Sequence, residues 1–374
     1  MEPAVDWSPF DDLDPRRPGA VAAVVGGGDV LAWGSFGSAG PGGEALTVES
    51  TVYVASVAKQ FTAGVVGLLA LDGALGLDDP VRRWLPELRP SWDGVRIHHL
   101  LAHTGGLADA NRLDAAAGFG ADRPFSTAER VALIAGHDLE HPPGAVHRYS
   151  NHGYVLLAAI VERACGETLG EVARRRIFEP LGMSASGFLD GEAPAAVPGW
   201  AGGTERVDVR FRCVGDGGLV TSIADLARWD GWLPTSSLAD LMLRDRPRAA
   251  SGELAHDAWG ISIRTHRGLR IESHGGSLDG YLAAHVRFPA LGARSWCSPT
   301  RTPAGPRGSG GGPGKWSTPA SPTTSTPVGR RGPRPTASRS TPDARRPPVG
   351  LPAVRTVEVG GIRVSAIGLV CWQF

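Results

Sequence analysis

Lysine and asparagine are almost missing from this 374-residue chain: the only lysines are Lys59 and Lys315, and the only asparagines are Asn111 and Asn151. Arginine fills the other basic positions in a composition rich in Ala, Gly and Pro. A lysine kept against that bias, beside a candidate nucleophile, is read as a chemical requirement. The four cysteines (Cys165, Cys213, Cys297 and Cys371) lie far apart and form no C-x-x-C pair. Their spacing excludes a zinc ribbon and a disulfide framework and fits a reducing compartment. No apolar run approaches the ~20 residues of a membrane span. The start, MEPAVDWSPFDDLDP, is acidic and has neither a basic n-region nor an apolar h-region. A cytoplasmic location, with no visible secretory signal and no membrane partner, is expected. The formal net charge of zero conceals an asymmetry: residues 1–290 hold 26 Lys+Arg against 36 Asp+Glu, whereas residues 291–350 hold 10 against 1. The two parts differ in kind, and the acidic one offers nucleic acid no basic field.

What is there begins with GAVAAVVGGGDVLAWG at 19–34, two short apolar runs around a glycine turn, which predicts a β-hairpin. Helical spacing of Val57, Phe61, Val65, Leu68 and Leu69 predicts a buried helix from Ser56 to Asp72, stopped by Gly73. Further helices are expected within 95–107, 127–137, 152–177 and 223–233, and strands at 259–264, 269–274 and 281–288. Strand, helical middle, then strands describes an α/β (α+β) domain: an antiparallel sheet flanked by helices, with an all-α insertion. Residues 291–350, with 12 prolines and almost no apolar periodicity, are expected to be disordered. The last segment, VRTVEVGGIRVSAIGLVCWQF, is strand-like again, with a Gly-Gly turn.

Three short motifs carry chemistry. In Ser56-Val57-Ala58-Lys59 the two polar residues share a helix face. A serine needs a base, and an amine serves only if its pKa falls from ~10.4 toward ~7, as burial and a helix N-terminus both favour. Arginine does not deprotonate and cannot substitute. In Tyr149-Ser150-Asn151 the phenol can pass a proton to a leaving group, and the amide can hold both the lysine and a substrate. In His274-Gly275-Gly276-Ser277 the glycines let a substrate lie against a strand edge, and the N–H groups of Ser277 and Ser56 can form an oxyanion hole. Taken singly, each has a plain structural reading: a chance S-x-x-K, a capped helix start at Ser150 or Asn151, and an ordinary turn. His137-x-x-Glu140-His141 matches an inverted zinc-peptidase pattern, but Pro142 ends any helix at His141, so no metal or cofactor is expected. No G-x-S-x-G occurs. His98, His99 and His103 read as packing and turn residues, with His103 supporting the site wall.

In order and spacing, SVAK, YSN and HGG resemble the class C β-lactamase, penicillin-binding and related esterase family. The stretches KQFTAGVVGLLALDGALGLDDPV, LLAHTGGL, PPGAVHRYSNHGYVLLAAIVE, EPLGM, GDGGLVTSIADLARW and HGGSLDGY resemble its scaffold, over roughly residues 18–290. The resemblance implies that Ser56 is acylated, that Lys59 and Tyr149 share proton transfer, that Asn151 orients, and that His274 stands where the family has Lys or His. A histidine carries only partial charge near neutral pH, which favours a small ester, amide or peptide over substrates that need a carboxylate partner. Two alternatives stay open: a catalytically impaired product, and a binding or sensor protein that is acylated without turnover.

The family continues past 281–288 with a further strand and a closing helix, and both are expected to be missing. A two-nucleotide frame shift near residues 290–294 turns ARSWCSPTR into an apolar strand, so residues 291–350 read as out-of-frame translation, which the gene sequence tests. Residues 351–374 resemble the N-terminal hairpin of aldo/keto reductases and hold none of that family's catalytic residues. The expected division is 1–17, 18–290, 291–350 and 351–374.

Overall fold

The apolar run Ala20–Gly26 becomes a strand buried along almost its whole length. Gly27 and Gly28 both take positive φ, 62° and 100°, the two-residue turn whose twist suits a hairpin, and Asp29–Phe36 returns antiparallel. This computed structural model describes residues 16–302 apart from 41–42, 120–124, 203, 210–212, 245–249, 251, 253–255, 267, 292 and 300, together with Trp7, Phe10, 356–359 and 362–365.

The hairpin begins a seven-stranded antiparallel sheet. Its order is Asp29–Phe36, Ala20–Gly26, Ala293–Pro299, Tyr281–Phe288, Leu269–Leu278, Ile261–His266 and Asp257–Ala258. Ala293–Pro299 overturns two expectations: the sheet does have a strand after Tyr281–Phe288, and residues 291–350 are not structureless from their start. It pairs with both neighbours, Val21 opposite Ser298 and Val286 opposite Ser295. Apolar periodicity was the wrong signal, because a ladder needs only main-chain N–H and C=O groups. The expectation of disorder over 303–350 lies outside the described residues. Thr356–Val359 and Ile362–Ser365 form the antiparallel pair expected around the final Gly-Gly.

Helices pack on the sheet and build the insertion. The expected helix at 95–107 is confined to Ile97–Leu101, and that at 127–137 to Thr127–Ala135. Periodicity over 152–177 hid a break. Asn151–Cys165 ends at Gly166, a left-handed cap with φ 72°, and Leu169–Ala173 starts afresh from a capping box of Thr168 and Glu171. Helix Lys59–Leu71 is buried through most of its length; its Phe61 ring lies 4.7 Å from Trp229 and 5.7 Å from Phe178. Each such buried ring stabilises the fold by about 2–3 kcal/mol. This core anchors the helix whose first residue is Lys59.

Candidate active site

Ser56 does not stand on the α-helix itself. Ala55–Ala58 is a 3-10 turn leading into Lys59–Leu71, and in that geometry side chains three apart eclipse, which lays Lys59 beside Ser56. Ala55 takes φ 45°, a left-handed conformation that costs a residue with a side chain about 1–3 kcal/mol. Two glycines press on this turn. A Cβ at Gly276 would stand 2.2 Å from the Val54 carbonyl oxygen and 3.1 Å from the Ser56 nitrogen; one at Gly260 would stand 2.4 Å from the Gln60 nitrogen.

The Lys59 amine lies 3.1 Å from Ser56 Oγ, 2.9 Å from Asn151 Oδ1 and 2.5 Å from the Asp216 carbonyl oxygen. It is fully buried, and burial, opposed by Asp216 and aided by Arg130, brings its pKa down to about 7. Tyr149 neighbours Ser56, and its ring centroid is 5.0 Å from the amine. Burial raises the Tyr149 pKa well above the usual phenol range, so the hydroxyl keeps its proton. Asn151 opens its helix, with Ser150 as the cap that accepts from the Gly153 N–H.

His274 closes the other side, its ring centroid 6.1 Å from that of Tyr149. It is buried, and burial with the nearby Lys59 brings its pKa down to about 4, so it is neutral at pH 7. The strand expected over 269–274 runs on to Leu278, carrying Gly275, Gly276 and Ser277 with it. The two-residue Asp279–Gly280 connection makes Leu278 and Tyr281 a hydrogen-bonded pair. Alternation then turns the main-chain groups of Gly275 and Ser277 away from Tyr281–Phe288, toward an edge that Ile261–His266 leaves open beyond Ser273. Both residues are exposed.

Ser56, Lys59, Tyr149, Asn151, His274 and Gly276 therefore lie in one cluster, and Gly275 and Ser277 flank Gly276 on the same strand. The reading missed several others. Asp216 gives Lys59 its shortest contact, and its carboxylate lies 3.2 Å from Arg130, which also holds Asp114 at 2.6 Å. His103, by contrast, was read as supporting the site wall, and it lies behind Tyr149, ring centroids 4.5 Å apart, its Nδ1 accepting from the Ser150 N–H. The Tyr53 hydroxyl accepts from the Gly218 N–H and so braces the GDGG loop. The only sequence signal for Asp216 was an acid among glycines. By contrast, His137–His141 is a loop, and Glu140 is taken by Arg112 and Arg148.

An antiparallel sheet carrying a Ser–Lys–Tyr cluster at the start of a buried helix is the architecture of the serine β-lactamase and penicillin-binding type. The chain belongs to the Beta-lactamase family, whose model matches residues 7–292. It is similar to a D-aminopeptidase of Cereibacter sphaeroides, 30% identical over an alignment of 291 residues that covers 75% of this chain and 55% of that one. The chain thus spans about half the length of the D-aminopeptidases it matches. Esterase EstB of Burkholderia gladioli is 33% identical, covering 74% of this chain and 77% of the esterase. The octameric penicillin-binding protein homologue from Pyrococcus abyssi superposes with a TM-score of 0.65 at 25% identity, over 76% of this chain and 70% of that one. Among the described residues no helix is long and apolar enough to cross a membrane.

Proposed function

We propose that this chain is a serine hydrolase that forms an acyl-enzyme at Ser56 and acts on small neutral esters, amides or peptides. The observation that carries the reading is the full burial of the Lys59 amine 3.1 Å from Ser56 Oγ, with two further oxygens around it. Two of its three neighbours, the Asn151 and Asp216 carbonyl oxygens, can only accept. An uncharged amine spends both N–H groups on them, and its lone pair is then left for the Ser56 hydroxyl at 3.1 Å. Ser56 Oγ attacks the substrate carbonyl as its proton passes to Lys59. The negative oxygen that forms is held by the Ser56 and Ser277 N–H groups. Tyr149, which keeps its proton, relays one to the leaving group, and the reverse sequence with water releases the acid. With its oxygen on Lys59, the Asn151 amide has N–H groups to offer a substrate carbonyl.

The substrate class follows from charge. His274 is neutral, and Arg130 is engaged by two carboxylates, so neither offers a substrate carboxylate a cation. The hydrolase unit in this reading runs from about residue 18 through Pro299, since the strand Ala293–Pro299 holds the first hairpin to the sheet. A reducing, cytoplasmic setting is supported by Cys165 and Cys213, which are free thiols.

Treatment with a fluorophosphonate probe, followed by turnover of a chromogenic ester and a D-amino-acid amide, tests the proposal. Labelling and turnover are expected in the parent chain, and both are expected to vanish in Ser56→Ala. Labelling that survives in Ser56→Ala refutes the assignment of the nucleophile. Labelling without turnover refutes hydrolysis.

A further inference from the structure

The loop that supplies one acceptor to Lys59 is tied down by charge. Asp216 gives its carbonyl to Lys59, while its carboxylate lies 3.2 Å from Arg130 on the helix Thr127–Ala135. Arg130 also grips Asp114 at 2.6 Å, and Asp114 meets the His152 ring at 2.9 Å. His152 directly follows Asn151, the other acceptor. The Arg130, Asp114 and Asp216 side chains are only 10%, 13% and 15% exposed. Apolar residues of similar volume would fill this space without the desolvation cost of a buried ion cluster. One end of the network is the residue whose carbonyl binds the amine, and the other is the residue next to Asn151 in the chain.

Resting on the roles proposed for Ser56 and Lys59, we infer that Arg130 is a positioning residue of this site, fixing the Asp216 carbonyl and the Asn151 side chain so that the lone pair of Lys59 faces Ser56. The surroundings of the amine make the effect separable. The Tyr149 and Tyr154 rings face it at 5.0 and 5.7 Å. His103 and His274 are held neutral by burial, and Tyr53 and Tyr149 keep their protons for the same reason. Asp257 acts on Tyr149 and His274. Asp216 and Arg130 are the charges that act on Lys59 itself, the first favouring the ammonium form and the second opposing it.

Lysine NMR reads this without turnover, because Lys59 and Lys315 are the only lysines. In Lys315→Arg protein carrying [13Cε]lysine, the single signal is Lys59, with a midpoint near 7. Arg130→Gln is expected to raise that midpoint by about 1, because it removes the buried cation that opposes the ammonium form. Asp216→Asn is expected to lower it. Loosened packing that merely admits water raises the midpoint in both variants, so opposite signs are the signature. Arg130→Lys keeps the charge but cannot span both carboxylates, so acylation of Ser56 is expected to fall about tenfold at an unchanged midpoint; this variant serves where Arg130→Gln does not fold. An unmoved midpoint in Arg130→Gln, upward moves in both variants, or full acylation in Arg130→Lys overturns the inference. A parent protein inert to fluorophosphonate, with the two midpoints still moving oppositely, refutes the hydrolase reading and leaves the charge linkage standing.

Discussion

Replacing Lys59 by methionine should separate the cost of burying an amine from the chemistry the amine performs. Lys59 is 0% exposed, and its pKa falls from 10.5 to about 7 on folding. Between these values the unfolded chain holds a proton that the native state does not. Stability therefore rises with pH across that window by about 1.4 kcal/mol per pH unit. From pH 7 to about 10 the gain amounts to roughly 4 kcal/mol. Below pH 7 both states hold the proton, the contribution is flat, and the native state carries the whole penalty. Methionine removes the titrating group and with it the slope. It also strips the Asn151 and Asp216 oxygens of their donor, at about 1–3 kcal/mol each, but that loss does not depend on pH. Lys59→Met should thus compare best with the parent near neutrality and lose ground steadily toward pH 10, while acylation of Ser56 is abolished. Urea unfolding followed by fluorescence of the 11 tryptophans measures both proteins over this range. The raised pKa values of Tyr53, Tyr149 and Cys213 act in both proteins and cancel in the difference. A stability difference that stays constant with pH would show that the amine is charged in the native state, and the proposed base would be lost with it.

Gly276→Ala forces a methyl within 2.2 Å of the Val54 carbonyl oxygen, and backbone on both sides cannot yield cheaply. Acylation should fall at least about tenfold while thermal unfolding shifts by only a few degrees; an unchanged kcat/KM would show that the strand does not bear on the nucleophile turn. His274→Lys should place a cation beside the site and raise kcat/KM for carboxylate-bearing substrates relative to neutral ones by about tenfold, the worth of one charge-assisted hydrogen bond. An unaltered ratio would remove His274 from substrate selection.

The chemistry was legible in the sequence where composition worked against it. Lys59 stood out because arginine had replaced lysine nearly everywhere else, and an always-charged guanidinium cannot serve as a base. Tyr149, Asn151 and His274 became meaningful only as an ordered set, since each alone is an ordinary turn or cap residue. Arg130, Asp114 and Asp216 were illegible for a physical reason. They come from two separate helices and a loop, and a buried ion cluster leaves no periodicity or spacing that distinguishes its members from surface charges. His274 was read as partly charged, but its burial beside Lys59 makes it neutral, and burial of a polar residue is a tertiary property.

The sheet shows the complementary limit. Ala20–Gly26 and Tyr281–Phe288 were readable because their side chains are buried, and burial imposes an apolar pattern. Ala293–Pro299 carries no such pattern, yet among the described strands it is the one that joins the first hairpin to the remaining four. Neighbouring strands lie about 4.8 Å apart, so without it two open edges would face each other across about 10 Å. The main-chain groups that bridge this gap are the same in any reading frame, because donors and acceptors come from the peptide unit and only proline lacks the donor. Pro299 stands at the last position of the strand, where a missing N–H interrupts no further ladder. A segment whose side-chain pattern predicts no strand can therefore close the sheet, because the two edges it joins are already set by their own buried side chains.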